Sequence, residues 1–144
     1  MRTSLRVSEA TSLALHAMAL LTNETSRPLS CHEMADTLHV SEAHLSKVLQ
    51  RLGKQGFVSS LRGPKGGFRL AREASEVRLL DIYEAIEGPV KFSNCLFDKP
   101  VCSNEKCLMG DLLSSVDTQV VEYLEGTNLA DLLDGVPAEM TAAE

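Results

Sequence analysis

The run Leu45–Ala71, LSKVLQRLGKQGFVSSLRGPKGGFRLA, changes its apolar period at a single glycine. Before Gly56, the residues Leu45, Val48, Leu49 and Leu52 recur at spacings of three and four, the period of one face of an α-helix. After it come two short strand-type runs, FVSSLR and FRLA, on either side of the turn GPKGG. A helix that ends where a hairpin begins keeps the hairpin close to its own C-terminus. Ser41 is placed to cap this helix and Gly56 to close it. Ahead of it, Ser30 opens a short helix through Leu38, with Met34, Ala35 and Leu38 inward. Only a tight turn separates the two helices. Their lengths fit a helix-turn-helix, and the hairpin turns it into a winged helix.

The remaining elements follow from the same rules. Ser8 caps a predicted helix over 9–22, striped by Ala10, Leu13, Ala14, Ala17, Leu20 and Leu21. VRLLDIYEAIE, residues 77–87, predicts another, ended by Gly88-Pro89. A long helix is predicted over about 105–125. Leu108, Leu112, Leu113, Val116, Val120, Tyr123 and Leu124 form its apolar stripe, and Asp111, Asp117, Glu122 and Glu125 face away. Thr127 is expected to cap a last short helix, NLADLL. The fold class is therefore mainly α with a small β-hairpin wing. A winged helix-turn-helix domain covers 1–88, with the wing at about 57–71, and a cysteine-containing segment covers 89–107. A long C-terminal dimerisation helix and short terminal helix cover 105–134, and 135–144 is a frayed tail. The long stripe needs a partner, either a second copy of the chain or the first helix of the same one.

Charge qualifies this picture. The chain carries 14 Lys/Arg against 20 Asp/Glu, a net −6, which by itself argues against a polyanion partner. The distribution argues for one. Residues 1–75 hold ten basic and six acidic side chains, and residues 76–144 hold four and fourteen. Within 41–72, Lys47, Arg51, Lys54, Arg62, Lys65, Arg69 and Arg72 face Glu42 alone. A basic unit followed by an acidic half is the pattern of a polyanion-binding module with a separate, water-facing attachment, although charge alone equally marks a solvated face. On a helix-turn-helix, Ser41, His44, Ser46 and Lys47 lie where the second helix meets base edges, and Arg51 is one turn further, towards phosphate. Arg62, Gly63, Lys65, Gly66 and Gly67 arm the wing, the glycines permitting positive φ and close approach to a surface.

Other classes are disfavoured. No run approaches 18 apolar residues, so no membrane partner is expected. MRTSLRVSEATSLALHAMALL is interrupted by Glu9, Ser12 and His16 and reads as a helix of the folded protein, in the cytoplasm, not as an export signal. The sequence offers no nucleophile–base arrangement, phosphate loop or pair of catalytic carboxylates, so neither enzyme activity nor a small-molecule substrate is expected.

Three of the four cysteines, Cys95, Cys102 and Cys107, fall within thirteen residues, CLFDKPVCSNEKC, spaced C-x6-C-x4-C. In a reducing compartment such clustering points to metal or redox chemistry. The close Cys pairs of zinc sites are missing. Soft thiolates on a loop suit an iron–sulfur cluster, and a reversible disulfide between two of them is the alternative. The residues alone divide evenly between the two. Cys31 stands apart, as a small buried residue at a helix start.

LSKVLQRLGKQGFV, then SLRGPKGGFRLA, then a helix ending AIEG and three close cysteines together resemble the Rrf2 family of bacterial transcription regulators, over roughly residues 5–134. The resemblance implies a dimeric winged-helix repressor or activator acting on double-stranded DNA at a palindromic operator. Members with three cysteines at this place hold an iron–sulfur cluster, so Cys95, Cys102 and Cys107 are the implied ligands, the middle one displaced by one position. In one branch of the family a His follows the third cysteine by three residues; here that position is Gly110. In another branch the remaining ligand comes from the first helix of the partner subunit, as Asp or Glu, in one case with a His one turn later. That match places Ser12 at the carboxylate position and His16 at the histidine position, so His16 is the expected fourth ligand. A 2Fe–2S cluster is expected over 4Fe–4S, because histidine ligation is familiar for the former. Two other readings stay open: a clusterless thiol-switch or metabolite-sensing regulator on the same fold, and an iron–sulfur carrier with no DNA role.

Overall fold

Helix α1 (Glu9–Asn23) is the element around which the others pack in the computed structural model, which describes residues 5–92, 95–97, 99, 101, 102, 107–109 and 111–133. Ser8 caps it as expected, its Oγ accepting the Thr11 N–H. Ala14 and Ala17 are wholly buried, and their small side chains let two later helices come close.

Helix α2 (Cys31–Leu38) opens on a capping box. Ser30 Oγ accepts the Glu33 N–H, and the Glu33 carboxylate accepts the Ser30 N–H at 2.8 Å. The helix ends on His39, in the left-handed region at φ 54°, and the Val40 N–H returns to the Ala35 carbonyl at 3.0 Å. This tight turn feeds α3 (Glu42–Lys54), capped by Ser41 through the His44 N–H. Leu45, Val48, Leu49 and Leu52 are buried, as their spacing requires.

Strands β1 (Val58–Leu61) and β2 (Gly67–Leu70) pair antiparallel, with Val58 opposite Leu70 and Leu61 opposite Gly67. The hairpin also has an anchor. Leu29, in the loop before α2, exchanges both backbone bonds with Phe68, at 2.9 and 2.7 Å. Gly67 makes this possible: at φ +153°, a Cβ there would stand 2.5 Å from the Leu29 carbonyl carbon. Gly66 is closed in by the Leu61 and Gly63 carbonyls. The close approach these two glycines permit is thus made inside the chain, whereas Gly63 has open space around it.

Helix α4 (Leu79–Glu87) buries Leu79, Leu80, Ile82, Tyr83, Ala85 and Ile86. The helix expected from about 105 begins later: α5 spans Leu112–Gly126, and residues 103–106 lie outside the described residues. Gly110 and Asp111 have low helix propensity, and Asp111 takes the N-cap position, its carbonyl accepting the Ser115 N–H at 2.9 Å. Asp117 is a second correction. It is 2% exposed, not solvent-facing. It stands four residues after Leu113 and seven before Leu124, which is the inward face of a helix. Its Oδ1 finds no hydrogen-bond partner among the described residues. The apolar stripe itself divides. Leu124 is buried and Val120 packs on the core, while Leu112, Val116 and Tyr123 are 54%, 38% and 63% exposed and form a second row beside them.

A one-turn 3-10 helix, Leu129–Leu132, follows, capped by Asn128 in place of Thr127; Asn128 Oδ1 accepts the Asp131 N–H at 3.1 Å. Thr127 instead offers its carbonyl to the Leu79 N–H at 2.9 Å, and the Leu129 N–H reaches the Val77 carbonyl at 2.9 Å. These bonds sew the chain beyond α5 to the start of α4. The expected tail, 135–144, lies outside the described residues. Among the described residues no helix is long and apolar enough to cross a membrane.

Candidate nucleic-acid interface and cysteine segment

The seven basic residues of 41–72 separate into two groups. Lys47, Lys54, Arg62, Lys65 and Arg69 are exposed and make no ion pair or side-chain hydrogen bond among the described residues. They sit on α3 and the hairpin, which pack against each other. Arg72 and Arg51 are exposed as well, but their guanidinium groups are bonded to backbone carbonyls. Arg72 Nε and Nη2 donate to the carbonyls of Gly56 (3.1 Å) and Gln55 (3.0 Å), and its guanidinium lies 4.4 Å from the Phe57 ring centroid. Arg51 Nη2 donates to the Ile86 carbonyl at 2.8 Å. Five unneutralised cations on a helix and its adjoining wing are suited to phosphate.

The start of α3 is tied down more than its sequence announced. Ser41 Oγ is spent on its own helix as the cap. His44 Nδ1 lies 3.4 Å from Glu9 Oε1 on α1. Ser46 Oγ lies 3.4 Å from Gln50 Nε2. His32 Nδ1 meets Glu42 Oε2 at 3.0 Å, and that hydrogen bond, with Asp36 at 3.3 Å from Nε2, raises the imidazole above its ordinary range. Burial, and then the charge of Glu42, pushes up the Cys31 thiol, whose Sγ lies 3.5 Å from the Glu42 carbonyl; the residue is half-buried, not fully so. Of the residues expected to face DNA, Lys47, Arg62, Gly63 and Lys65 remain exposed and uncommitted. Sequence reading missed the shallow groove between α3 and β1, lined by Gln50, Gly53, Lys54, Ser59 and Ser60. Its signal was present in the polar pair Ser59 and Ser60 after the buried Val58 and in the solvent face of α3.

The four cysteines are all present as thiols, Cys95 half-buried and Cys102 and Cys107 exposed. Among the described residues no three His, Cys, Asp or Glu side chains stand together as a metal site. The donor set therefore fits a cluster in kind, as soft thiolates in a chain segment that follows the winged unit, but the structure does not gather it. His16 is exposed on α1, its Nδ1 2.7 Å from the Ser12 carbonyl. A carbonyl only accepts, so Nδ1 is the donor of this bond, and in the neutral imidazole the lone pair is then on Nε2.

Helix-turn-helix, wing and free cations define a winged-helix protein of the DNA-binding class. Comparison with known proteins narrows this. The Rrf2 pattern, described as iron-dependent transcriptional regulator, matches residues 7–135. A protein of Aquifex aeolicus named as an HTH-type transcriptional regulator is 30% identical over 130 residues, 88% of this chain and 90% of that protein. IscR of Photorhabdus laumondii, also named as an HTH-type transcriptional regulator, is 27% identical over 84% of this chain and 73% of its own. Among solved structures, CymR of B. subtilis, described as the global cysteine regulator, superposes with a TM-score of 0.77 at 28% identity, covering 92% of this chain and 98% of its own. IscR of T. potens does so with 0.69 at 26% identity, over 91% and 88%. The chain belongs to the Rrf2 family. It is a transcription regulator and not an enzyme, and the reading as a carrier with no DNA role falls away.

Proposed function

We propose that the protein is a homodimeric regulator that binds a palindromic operator and whose affinity for it is set at Cys95, Cys102 and Cys107 by an iron–sulfur cluster, with His16 as the fourth ligand and 2Fe–2S as the cluster type. The observation that carries this reading is the set of three thiols in one short segment beyond the winged unit, in a chain whose family is described as iron-dependent. The bond from His16 to the Ser12 carbonyl supports it, since ligating histidines commonly donate their other ring N–H in this way and are thereby oriented. When bound, such a cluster supplies a link that depends on iron, sulfide and redox state. The chain's own part is to present the thiolates, aim His16 Nε2, and hold the recognition helix α3 at a fixed angle to its copy in the partner. The exposed row Leu112, Val116 and Tyr123 supports the dimer, because apolar side chains on one face of a helix are suited to a second copy.

Anaerobically reconstituted protein is expected to be brown, with visible absorption and acid-labile sulfide. Cys→Ala at any of the three positions removes the colour, and His16→Ala weakens it while leaving the fold intact. A second reading has support of equal weight. The likeness to CymR, the global cysteine regulator, fits a clusterless regulator in which two of the three thiols form a reversible disulfide. Colourless protein after anaerobic reconstitution, with a reversible disulfide in mass spectra, decides for that reading.

The DNA assignment has its own test. Arg62→Ala with Lys65→Ala should weaken operator binding and flatten the slope of log K against log salt by roughly two units, since both cations are uncommitted. Unchanged affinity and slope in the double variant would remove the wing from the interface.

A further inference from the structure

The end of α4 is where α1, α3 and the chain leading to the cysteines meet, and the helix cannot complete it by itself. The last carbonyls of a helix have no partner within it, and N–H groups just beyond usually serve them. Here Gly88 is followed by Pro89, which has no N–H. Only the Glu84 carbonyl is served locally, by the Gly88 N–H at 2.9 Å. The next two are served by the recognition helix and its C-cap residue: Gln55 Nε2 donates to Ala85 O at 2.9 Å and Arg51 Nη2 to Ile86 O at 2.8 Å. A cation at the C-terminus of α4 also meets the negative end of its dipole. The same turn holds α1 and the outgoing chain. Glu87 Oε1 accepts the Ser8 N–H at 2.9 Å and the Thr11 hydroxyl. Burial raises the Glu87 carboxyl, but these hydrogen bonds outweigh it and hold the group below its usual range. Glu84 Oε1 accepts the Val90 N–H at 3.2 Å, two residues past the helix cap and five before Cys95. One turn, residues 84–87, thus bonds α1, α3 and the chain leading to the cysteines.

We infer that Arg51 and Gln55 are positioning residues: they seat the recognition helix on the end of α4, so that a displacement of residues 88–90 is passed to α3, and neither side chain reads DNA. The second half of this inference rests on the cysteine-controlled reading above; the first does not. Arg51 lies on a DNA-facing helix and would otherwise count as a phosphate contact, so the two roles differ in what they do to the salt slope.

A duplex selected by the wild-type protein from a random pool, and an unrelated duplex of equal length, are titrated by fluorescence anisotropy across a salt series. Arg51→Gln and Gln55→Ala are each expected to lose about tenfold in affinity for the selected duplex, on the scale of one well-placed base contact. Both should bind the unrelated duplex as wild type does and keep its salt slope. A slope lower by about one unit for Arg51→Gln on both duplexes, with Gln55→Ala unaffected, makes Arg51 a phosphate contact and overturns the inference. Gln55→Ala removes one neutral bond and keeps the test open should Arg51→Gln fail to fold. The linkage is read in a Cys31→Ser background by alkylating the remaining thiols with iodoacetamide. Alkylation is expected to shift wild-type affinity for the selected duplex and to leave the Arg51→Gln, Gln55→Ala double variant unmoved. A double variant that responds as fully as wild type overturns the linkage. A wild type that does not respond refutes cysteine control itself, and the positioning role is then decided by the titrations alone.

Discussion

Gly67→Ala is expected to cost about 3 kcal/mol of stability, near the upper end of single substitutions, and to lower the Tm by roughly 10 °C. The added methyl would stand 2.5 Å from both the carbonyl carbon and oxygen of Leu29 and 2.8 Å from the Ser30 nitrogen. These are backbone atoms, so no side-chain rotation relieves the clash. Either the two bonds between Leu29 and Phe68 separate, at about 1 kcal/mol each, or β2 moves away and Phe68 leaves the edge of the core. The φ of +153° adds strain for any residue with a Cβ. Gly63→Ala is the control. Its Cβ would meet nothing within 4 Å, and only its φ of +110° resists, so about 1 kcal/mol is expected. Thermal melts of the two variants give the comparison. If Gly67→Ala melts with the wild type, the Leu29 pairing does not anchor the wing.

If two copies pair through α5 as proposed, Val116→Glu combined with Tyr123→Glu should leave a folded monomer at micromolar concentration. Both side chains are exposed in the single chain, so charge there harms nothing within it. At a seam between copies the same carboxylates would be buried without partners, four in all around the two-fold axis, at several kcal/mol per dimer. Val120 is a poor choice for this test because it packs on the intrachain core, where a glutamate would mix unfolding with dissociation. Sedimentation equilibrium together with far-UV circular dichroism reads both properties. A folded double variant that still sediments as a dimer would move the seam off α5.

Most of the fold was legible because its signals are local. Ser8, Ser30 and Ser41 each cap the helix they precede, and the period of Leu45, Val48, Leu49 and Leu52 set the buried face of α3. The failures have one character. The sequence pattern of α5 makes one apolar band where the fold makes two adjacent rows, and the charge of Asp117 points to solvent although its spacing from Leu113 and Leu124 places it inward. At the candidate interface, the cations were visible and their employment was not. Whether a guanidinium faces phosphate or the end of another helix depends on what packs beside it, and Arg51 and Ile86 are brought together only by the tertiary fold. The cysteines were equally visible, but nothing in their spacing carries the relative placement of the chain around them.

The pairing of Leu29 with Phe68 has a consequence for the duplex. It binds the hairpin to the loop that opens α2, and α2 is turned directly onto α3, so the proposed groove reader and wing form one block. Such a block cannot adjust the reach of one contact independently of the other. Misfit must then be absorbed by the DNA, through local bending or a change in groove width, and this is least costly where the base steps are soft, as at pyrimidine–purine steps. Operators for this protein would therefore be constrained at base pairs lying between the two contacts, which no side chain touches, by their deformability alone.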